Sequence, residues 1–154
     1  MAYNQINLDS AVAVPGMKAT PDQSIYTPRN FLVEDSAGIA VGGFVDYGSV
    51  DGTVTGAISN TAPLGFVERV INSFNYDVTS AGTLIVPEGG TLTIAVKGDY
   101  YVAAPETVAI GDPVYCNDTT GAVTDSSDSD KLDTGWVYKT AGAKDDMVII
   151  SNWA

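Results

Sequence analysis

The sequence lacks histidine altogether and contains a single cysteine among its 154 residues. Without histidine, a nucleophilic triad would need a rarer lysine base, and the GxSxG elbow that exposes a catalytic serine is also missing. The glycine-rich stretches GGFVDYGSVDG and PEGG match neither the dinucleotide fingerprint nor the P-loop, so we interpret their glycines as turn residues. The sequence therefore predicts a protein that is not an enzyme and has neither catalytic residues nor a cofactor.

The lone cysteine, Cys116, cannot form a disulfide within the chain. Strand alternation places its side chain on the same side as that of Val114, where we expect burial. A cysteine nucleophile would need a neighbouring base, and the chain has no histidine to serve as one. We therefore interpret Cys116 as an ordinary thiol of the core.

Basic residues are few, since seven Lys and Arg stand against nineteen Asp and Glu, for a net charge of -12. Such a charge repels nucleic acid and the anionic surface of a membrane. The opening MAYNQINLDS has neither the basic start nor the apolar run of a signal peptide, and no later segment approaches the roughly 18 apolar residues of a membrane span. We expect a soluble protein made without a signal, whose partner is another protein.

The acidic residues do not form a recognisable site. Two carboxylates flanking a cleft can hydrolyse a glycoside, but among nineteen acids such pairs arise by chance. The densest run, DSSDSDKLD from Asp125 to Asp133, offers oxygen ligands for Ca²⁺, yet it lacks the glycine and the glutamate that define the EF-hand loop. A solvated, mobile loop is the favoured interpretation, and no metal site is predicted.

The segment from Met1 to Asn30 differs from the rest of the chain because a proline recurs every six or seven residues from Pro15 onward. Proline fixes φ and removes a hydrogen-bond donor, so this segment cannot form an interior helix or a central strand. We interpret residues 1–30 as an extended arm that orders against a partner chain, because apolar side chains of one parity would lie on one side of it. The candidate partner-binding residues of the arm are Tyr3, Ile6, Leu8, Val12 and Val14.

From Phe31 onward, glycine and aspartate interrupt the chain at intervals of about eight to twelve residues, which is typical of an all-β sandwich or barrel. Residues 31–154 are therefore predicted to form the body, a single small β-barrel or jelly-roll-like sandwich. The predicted strands are Gly38–Tyr47, Thr53–Ile58, Leu64–Val70, Tyr76–Thr79, Thr83–Val86, Thr91–Val96, Tyr100–Ala104, Pro113–Asn117, Ala122–Thr124, Gly135–Thr140 and Met147–Asn152.

Three hairpins are predicted within this body. TLIVPEGGTLTIAV would turn at Glu88–Gly90, TIAVKGDYYVA would turn at Gly98–Asp99, and TGWVYKT would pair with DMVIISNW across AGAKD. One segment also fits a helix, since Leu64, Val67, Ile71 and Phe74 have a three-four spacing, but its β-branched content favours a strand.

Aromatic residues are expected mostly in the core. Five of them lie in the arm or near strand ends, where amphipathic rings often serve interfaces, although core packing is favoured for any one of them. These five are Tyr3, Tyr26, Tyr47, Tyr100 and Trp153.

The order of these features resembles that of the structural cement, or capsid decoration, proteins of tailed bacteriophages. The most similar elements are PLGFVERV, APETVAIGDPVY followed by TTGAV, and the closing TGWVYKTAGAKDDMVIISNW, which together span Pro63 to Trp153. The resemblance implies a small barrel or jelly-roll-like protein without an active site or cofactor. The acidic insertion between Thr124 and Thr134 departs from the shorter members of the family.

This resemblance implies a non-enzymatic protein of the virion, made in the host cytoplasm, that binds the outer surface of the capsid and clamps neighbouring major capsid proteins. Self-association is expected, as a trimer in preference to a dimer, with no binding to nucleic acid or membrane. The alternative function is a host-attachment or carbohydrate-binding module, in which exposed Tyr and Trp beside Asp would contact a sugar. An enzyme that uses pairs of acids is the least favoured reading.

Overall fold

The computed structural model describes residues 13–21, 23–70 and 85–153. Within these ranges the chain forms fourteen β-strands and no helix, which confirms the all-β prediction. The described residues therefore contain no helix long and apolar enough to cross a membrane. The strands are β1 (Ile25–Tyr26), β2 (Phe31–Val33), β3 (Ile39–Ala40), β4 (Phe44–Tyr47), β5 (Thr53–Thr55), β6 (Gly65–Val67), β7 (Ile85–Val86), β8 (Thr91–Leu92), β9 (Ile94–Lys97), β10 (Asp99–Ala103), β11 (Pro113–Asn117), β12 (Val123–Thr124), β13 (Lys131–Tyr138) and β14 (Met147–Ser151).

Seven strands form a nearly closed barrel in the order β1-β9-β6-β4-β5-β2-β8. Strand β8, at one end of this order, is separated by Thr93 alone from β9, which lies next to the other end, so the sheet curls back on itself. One pair, β2 with β5, is parallel, and the other pairs of this sheet are antiparallel. Curling in this way removes most of the exposed edge that a flat sheet would present.

A second sheet of five strands, in the order β10-β14-β13-β11-β12, packs against the barrel, and β3 pairs with β7 in a small two-stranded sheet. One hydrophobic cluster fills the barrel, and the other lies between the barrel and the five-stranded sheet. On β4 and β6, neighbouring residues face different clusters, because side chains alternate across a strand. Thus Phe44 and Phe66 face the five-stranded sheet, while Val45 and Val67 fill the barrel.

The cluster between the sheets is built around four aromatic rings. Phe44 and Phe66 meet edge to face with centroids 5.3 Å apart, and the Phe66 ring lies 5.0 Å from Tyr100 and 5.7 Å from Trp136. All four side chains are at most 2% exposed. Aromatic contacts of this kind add to the stabilisation from burial, so this cluster joins the two sheets into one unit.

Several predicted elements are confirmed. Strand β11 has the predicted bounds, Pro113–Asn117, and strands β13 and β14 form the predicted closing hairpin, with Tyr138 opposite Ile150. Leu64–Val70 forms a strand at Gly65–Val67, as favoured over a helix, while Ile71 and Phe74 lie outside the described residues. The predicted strand Tyr76–Thr79 also lies outside them.

Two of the three predicted hairpins are wrong. A turn does form at residues 88–90, but β7 pairs with β3 and β8 pairs with β2. At Gly98 the chain passes from one sheet to the other, so β9 pairs with β6 whereas β10 pairs with β14. Alternation and a turn signal were correct in both places, yet they do not show whether two neighbouring strands pair with each other.

Two predicted strands are interrupted. The stretch Gly38–Tyr47 divides into β3 and β4 around a turn at Val41–Gly43, where Gly42 has φ 84°, and Thr91–Val96 divides at Thr93.

The last part of the acidic run also differs from the predicted loop, since β13 begins at Lys131 and contains Asp133. Its Asp133 lies opposite Tyr115 of β11.

Candidate interaction surfaces

The described part of the predicted arm lies along the body of the same chain. Gly16 donates a backbone hydrogen bond of 2.9 Å to the carbonyl of Tyr101, and the N–H of Tyr101 donates one of 2.9 Å to the carbonyl of Met17. Ala13 is 5% exposed, so even the first described residue is buried. Residues 13–21 are thus attached along the edge strand β10.

Further along, β1 pairs as an edge strand with β9, and a small polar cluster holds it there. The hydroxyl of Tyr100 lies 2.8 Å from both Oγ of Ser24 and Oε2 of Glu68, which connects the segment before β1 to the loop after β6. Burial, together with the nearby charge of Glu68, raises the pKa of Tyr100 far above its usual value. The phenol therefore stays neutral and acts as a structural hydrogen-bonding group.

Of the five predicted arm residues, the structure describes Val14, which is half-buried and whose carbonyl accepts a hydrogen bond of 3.1 Å from Met17. The other four, Tyr3, Ile6, Leu8 and Val12, lie outside the described residues. Partner binding by these five residues stays a prediction.

A groove of about 580 Å³ opens at one end of the barrel. Its walls include Phe31, Tyr47 and Val50, and the last two side chains are 57% and 62% exposed. The Phe31 and Tyr47 rings meet edge to face at 5.9 Å. Arg29 lies over the Phe31 ring at 5.4 Å and forms an ion pair of 3.0 Å with Asp51. This apolar rim with a charged pair beside it is the candidate docking surface, which we call the barrel-end groove.

The loop that carries this rim is fixed by the carboxylate of Glu34. It accepts hydrogen bonds from the hydroxyl and N–H of Ser49, from the hydroxyl of Thr53 at 2.5 Å and from the N–H of Val50 at 3.5 Å. These bonds, that of the Ser49 hydroxyl above all, lower the pKa of Glu34 to about 2. The rim residues are therefore held in place by a group that remains charged at neutral pH.

The five candidate interface aromatics differ in solvent exposure. Tyr26, Tyr47 and Trp153 are exposed by 41%, 57% and 36%, and Lys97 lies over the Trp153 ring at 5.6 Å. Tyr100 is fully buried and belongs to the core, whereas Tyr3 lies outside the described residues.

Sequence reasoning did not identify the Glu34 network, although Ser, Thr and Gly clustered after a strand are a signal for a capped loop.

Cys116 is fully buried, as predicted. Burial, with the charges of Asp118 and Asp133, raises its pKa to about 12, so the thiol is unreactive at neutral pH. In the acidic run, Asp125 and Asp128 accept hydrogen bonds from neighbouring Ser, Thr and Asn side chains. Among the residues that the structure describes, no group of three acidic, cysteine or histidine side chains could hold a metal ion.

The fold is that of an all-β protein with an exposed apolar rim at one end of its barrel. A family model described as "Structural cement protein (E217 gp24/Pam3 gp6)" matches residues 3–152, so the chain belongs to this phage structural cement family. A chain from the capsid of Myoviridae phage XM1 shares its fold, with a TM-score of 0.67 and 16% identity over 99% of this chain and 98% of that one. No curated protein matches the sequence.

Membership in this family confirms the predicted resemblance and gives the protein a structural role in the phage capsid, in association with shell proteins. It also places the protein in the virion.

Proposed function

We propose that the protein binds the outer surface of a phage head and clamps neighbouring major capsid proteins without catalysing a reaction. The observation that carries the proposal is the family match, which spans residues 3–152 and so includes both sheets and the barrel-end groove. A protein that stabilises a shell needs a well-packed body and exposed contact residues, and the packed sheets and the exposed rim of the groove support this proposal. Its charge of -12 favours protein partners over nucleic acid and membranes.

The barrel-end groove is one of two surfaces that we assign to the capsid. Its rim exposes Tyr47 and Val50, while hydrogen bonds from Ser49, Val50 and Thr53 to Glu34 restrain the loop. A preorganised loop loses little entropy on binding, and aromatic anchors dominate many interfaces. The groove therefore suits an apolar side chain flanked by polar groups on a shell protein.

The N-terminal arm is the second surface. Because residues 13–21 are hydrogen-bonded along β10, contact with another chain would come from residues before Ala13, which include Tyr3, Ile6, Leu8 and Val12. An exchange of such arms around a symmetry axis closes the assembly, and we propose a trimer in preference to a dimer. Repetition over the shell multiplies a modest interface into a large stabilisation.

A decoration experiment tests the proposal. Purified protein is added to empty heads of the phage that encodes it, and occupancy and position are measured by cryo-electron microscopy, with resistance of the heads to heat as a second readout. We expect density on the outer surface that bridges shell subunits, and decorated heads that rupture at a higher temperature. Failure to bind, or density on the inner surface, contradicts the proposal.

Two matched variants test the groove. Val50→Asp introduces a charge at the rim and should reduce occupancy, whereas Ala37→Asp introduces the same charge at an exposed turn between β2 and β3 and should not. Equal occupancy for the two variants would remove the groove from the contact surface. Light scattering of the free protein then gives its oligomeric state.

A further inference from the structure

A second cavity, of about 300 Å³, lies beside the five-stranded sheet and has no role in the surfaces described above. It lies next to the turn before β11, and seven of the residues that line it carry polar side chains. These seven are Glu106, Thr107, Asp112, Tyr115, Thr124, Ser126 and Tyr138.

The two carboxylates of this cavity are held in place but not neutralised. Ser126 donates its N–H to Oε1 of Glu106 at 2.7 Å, and Ala109 donates its N–H to Oδ2 of Asp112 at 2.8 Å. Each carboxylate thus has one oxygen committed to the backbone. Within the described part of the chain the one ion pair is Arg29–Asp51, so neither of these acids is paired with a cation.

Tyr138 provides an independent indication of a ligand. Its side chain is 2% exposed, and no described residue hydrogen-bonds to its phenol oxygen. Every fully buried side-chain oxygen among the described residues has a hydrogen-bond partner. The phenol oxygen of Tyr138 has none, so it must be accessible to solvent. Tyr138 also lines the cavity. Burial and the nearby charges of Glu106 and Asp112 raise the pKa of Tyr138 to about 12, which places both acids within electrostatic reach of the phenol.

We propose that this cavity receives the basic side chain of an arginine or lysine from the partner protein. The inference rests on the proposed function and identifies the partner residue by its chemistry. Two unpaired carboxylates and an unpartnered phenol supply acceptors for a guanidinium or ammonium group. A metal ion fits less well, because no described cluster offers three acidic ligands.

Two neighbouring residues bear on this choice of ligand. Lys131 of the same chain places its ammonium group 5.0 Å from the centre of the Tyr115 ring and bonds to the carbonyl of Ser126, but it forms no ion pair with Glu106 or Asp112, so both carboxylates stay available to a cation from the partner. Ile110, 70% exposed at the tip of the adjacent turn, offers an apolar contact to the aliphatic stem of an entering side chain. The partner segment would therefore carry a basic residue beside an apolar one.

The site is tested first without a capsid. The full chain is titrated with N-acetyl-arginine amide and N-acetyl-lysine amide, with N-acetyl-citrulline amide as the neutral control, and the ring resonances of labelled tyrosines are followed by NMR. We expect saturable shifts at Tyr138 and Tyr115 with a cationic probe and none with citrulline. The stronger of the two cationic probes identifies the preferred side chain, and no saturable shift with either overturns the inference.

Variants make the test specific. Glu106→Gln with Asp112→Asn retains an acceptor oxygen for each backbone bond but removes both charges, and we expect probe binding to weaken at least about tenfold. Tyr138→Phe keeps the ring and should weaken it about threefold. Glu88→Gln, which removes an exposed charge on the turn before β8, should leave it unchanged. Equal weakening by Glu88→Gln would show a general charge effect and overturn the site.

The same variants are then added to heads. Loss of about tenfold in head affinity for the double variant, with probe binding lost in parallel, supports a basic partner residue. Unchanged head affinity overturns it. Because the wild-type protein is measured beside the variants, failure of the inference is distinguished from failure of decoration itself.

Discussion

The side-chain amide of Asn60 lies 2.8 Å from each of the two carboxylate oxygens of Asp46. The same carboxylate accepts hydrogen bonds from the N–H groups of Tyr47, Ser59 and Asn60, and Asp46 is 1% exposed. Burial raises the pKa of Asp46, but the hydrogen bonds from Asn60 and these N–H groups outweigh it, and the net pKa is lowered. A buried carboxylate on β4 thus fixes the loop before β6.

Replacing this carboxylate should destabilise the protein strongly. Asp46→Ala leaves several donors without an acceptor, and we expect a loss of about 2–4 kcal/mol in the free energy of unfolding. Asn60→Ala removes one side-chain partner and should cost about 1 kcal/mol. Urea denaturation followed by tryptophan fluorescence measures both, and similar losses for the two variants would contradict a central role for Asp46.

Acid should weaken the network around Glu34. The pKa of this carboxylate is about 2 in the folded protein against an ordinary 4.5, so its ionised form is favoured by folding. The resulting stabilisation is complete above about pH 4.5 and is lost as the pH falls towards 2. Glu34→Gln should therefore melt at a lower temperature than wild type at pH 7, and the difference should shrink between pH 4.5 and 2. Calorimetry across this range checks it, and a constant difference would refute it.

Two glycines with similar backbone conformations should respond very differently to alanine. Gly121 and Gly89 have φ of 69° and 76°. A Cβ at Gly121 would overlap the carbonyl oxygen of Phe44, where the chain closely approaches β4, whereas a Cβ at Gly89 meets nothing within 4 Å. Gly89→Ala should cost about 1–2 kcal/mol through the backbone alone, and Gly121→Ala more than about 3 kcal/mol. Equal losses in chemical denaturation would show that the contact with Phe44 is readily relieved.

Cys116 should be protected by the fold. Because its pKa is about 12 and the side chain is fully buried, a thiol reagent at pH 8 should react only after unfolding. Absorbance with a chromogenic disulfide should show no release in buffer and one equivalent in guanidinium chloride. Rapid release in buffer would indicate that the region around β11 opens readily.

Deleting residues 1–12 should separate folding from attachment. Ala13 is buried against the body, so the truncation is placed just before it. We expect unchanged far-ultraviolet circular dichroism and a cooperative melt, with greatly reduced occupancy on heads. Ile6→Asp combined with Leu8→Asp should act in the same way by adding charge to an acidic protein. Full occupancy by the truncated chain would show that the body supplies the contact.

Local elements of the fold followed from the sequence where one physical signal acted alone. Alternation of apolar and polar residues located β11, and a turn between two complementary runs located the hairpin of β13 and β14. Alternation also placed Cys116 in the core. These signals depend on the period of the strand and on nearby residues, so they can be read from a few positions.

Strand pairing could not be read in this way. Thr93 and Gly98 each lie between two apolar runs that resemble one strand or one hairpin, but at both positions the chain passes between strands with different partners. The buried faces of β4 and β6 likewise lack strict alternation because both sides pack on a core. Which of two hydrophobic surfaces a run will cover depends on residues far away in the chain.

The sequence by itself determined the strand-rich class, the core cysteine, the lack of histidine chemistry and the acidic surface, because composition and period carry this information locally. The tertiary structure alone decided the closure of the barrel through Thr93, the capping of the rim by Glu34 and the meeting of Glu106, Asp112 and Tyr138 around one cavity. Such groups come together only after non-local strands have paired, and no spacing along the chain encodes the distance between them.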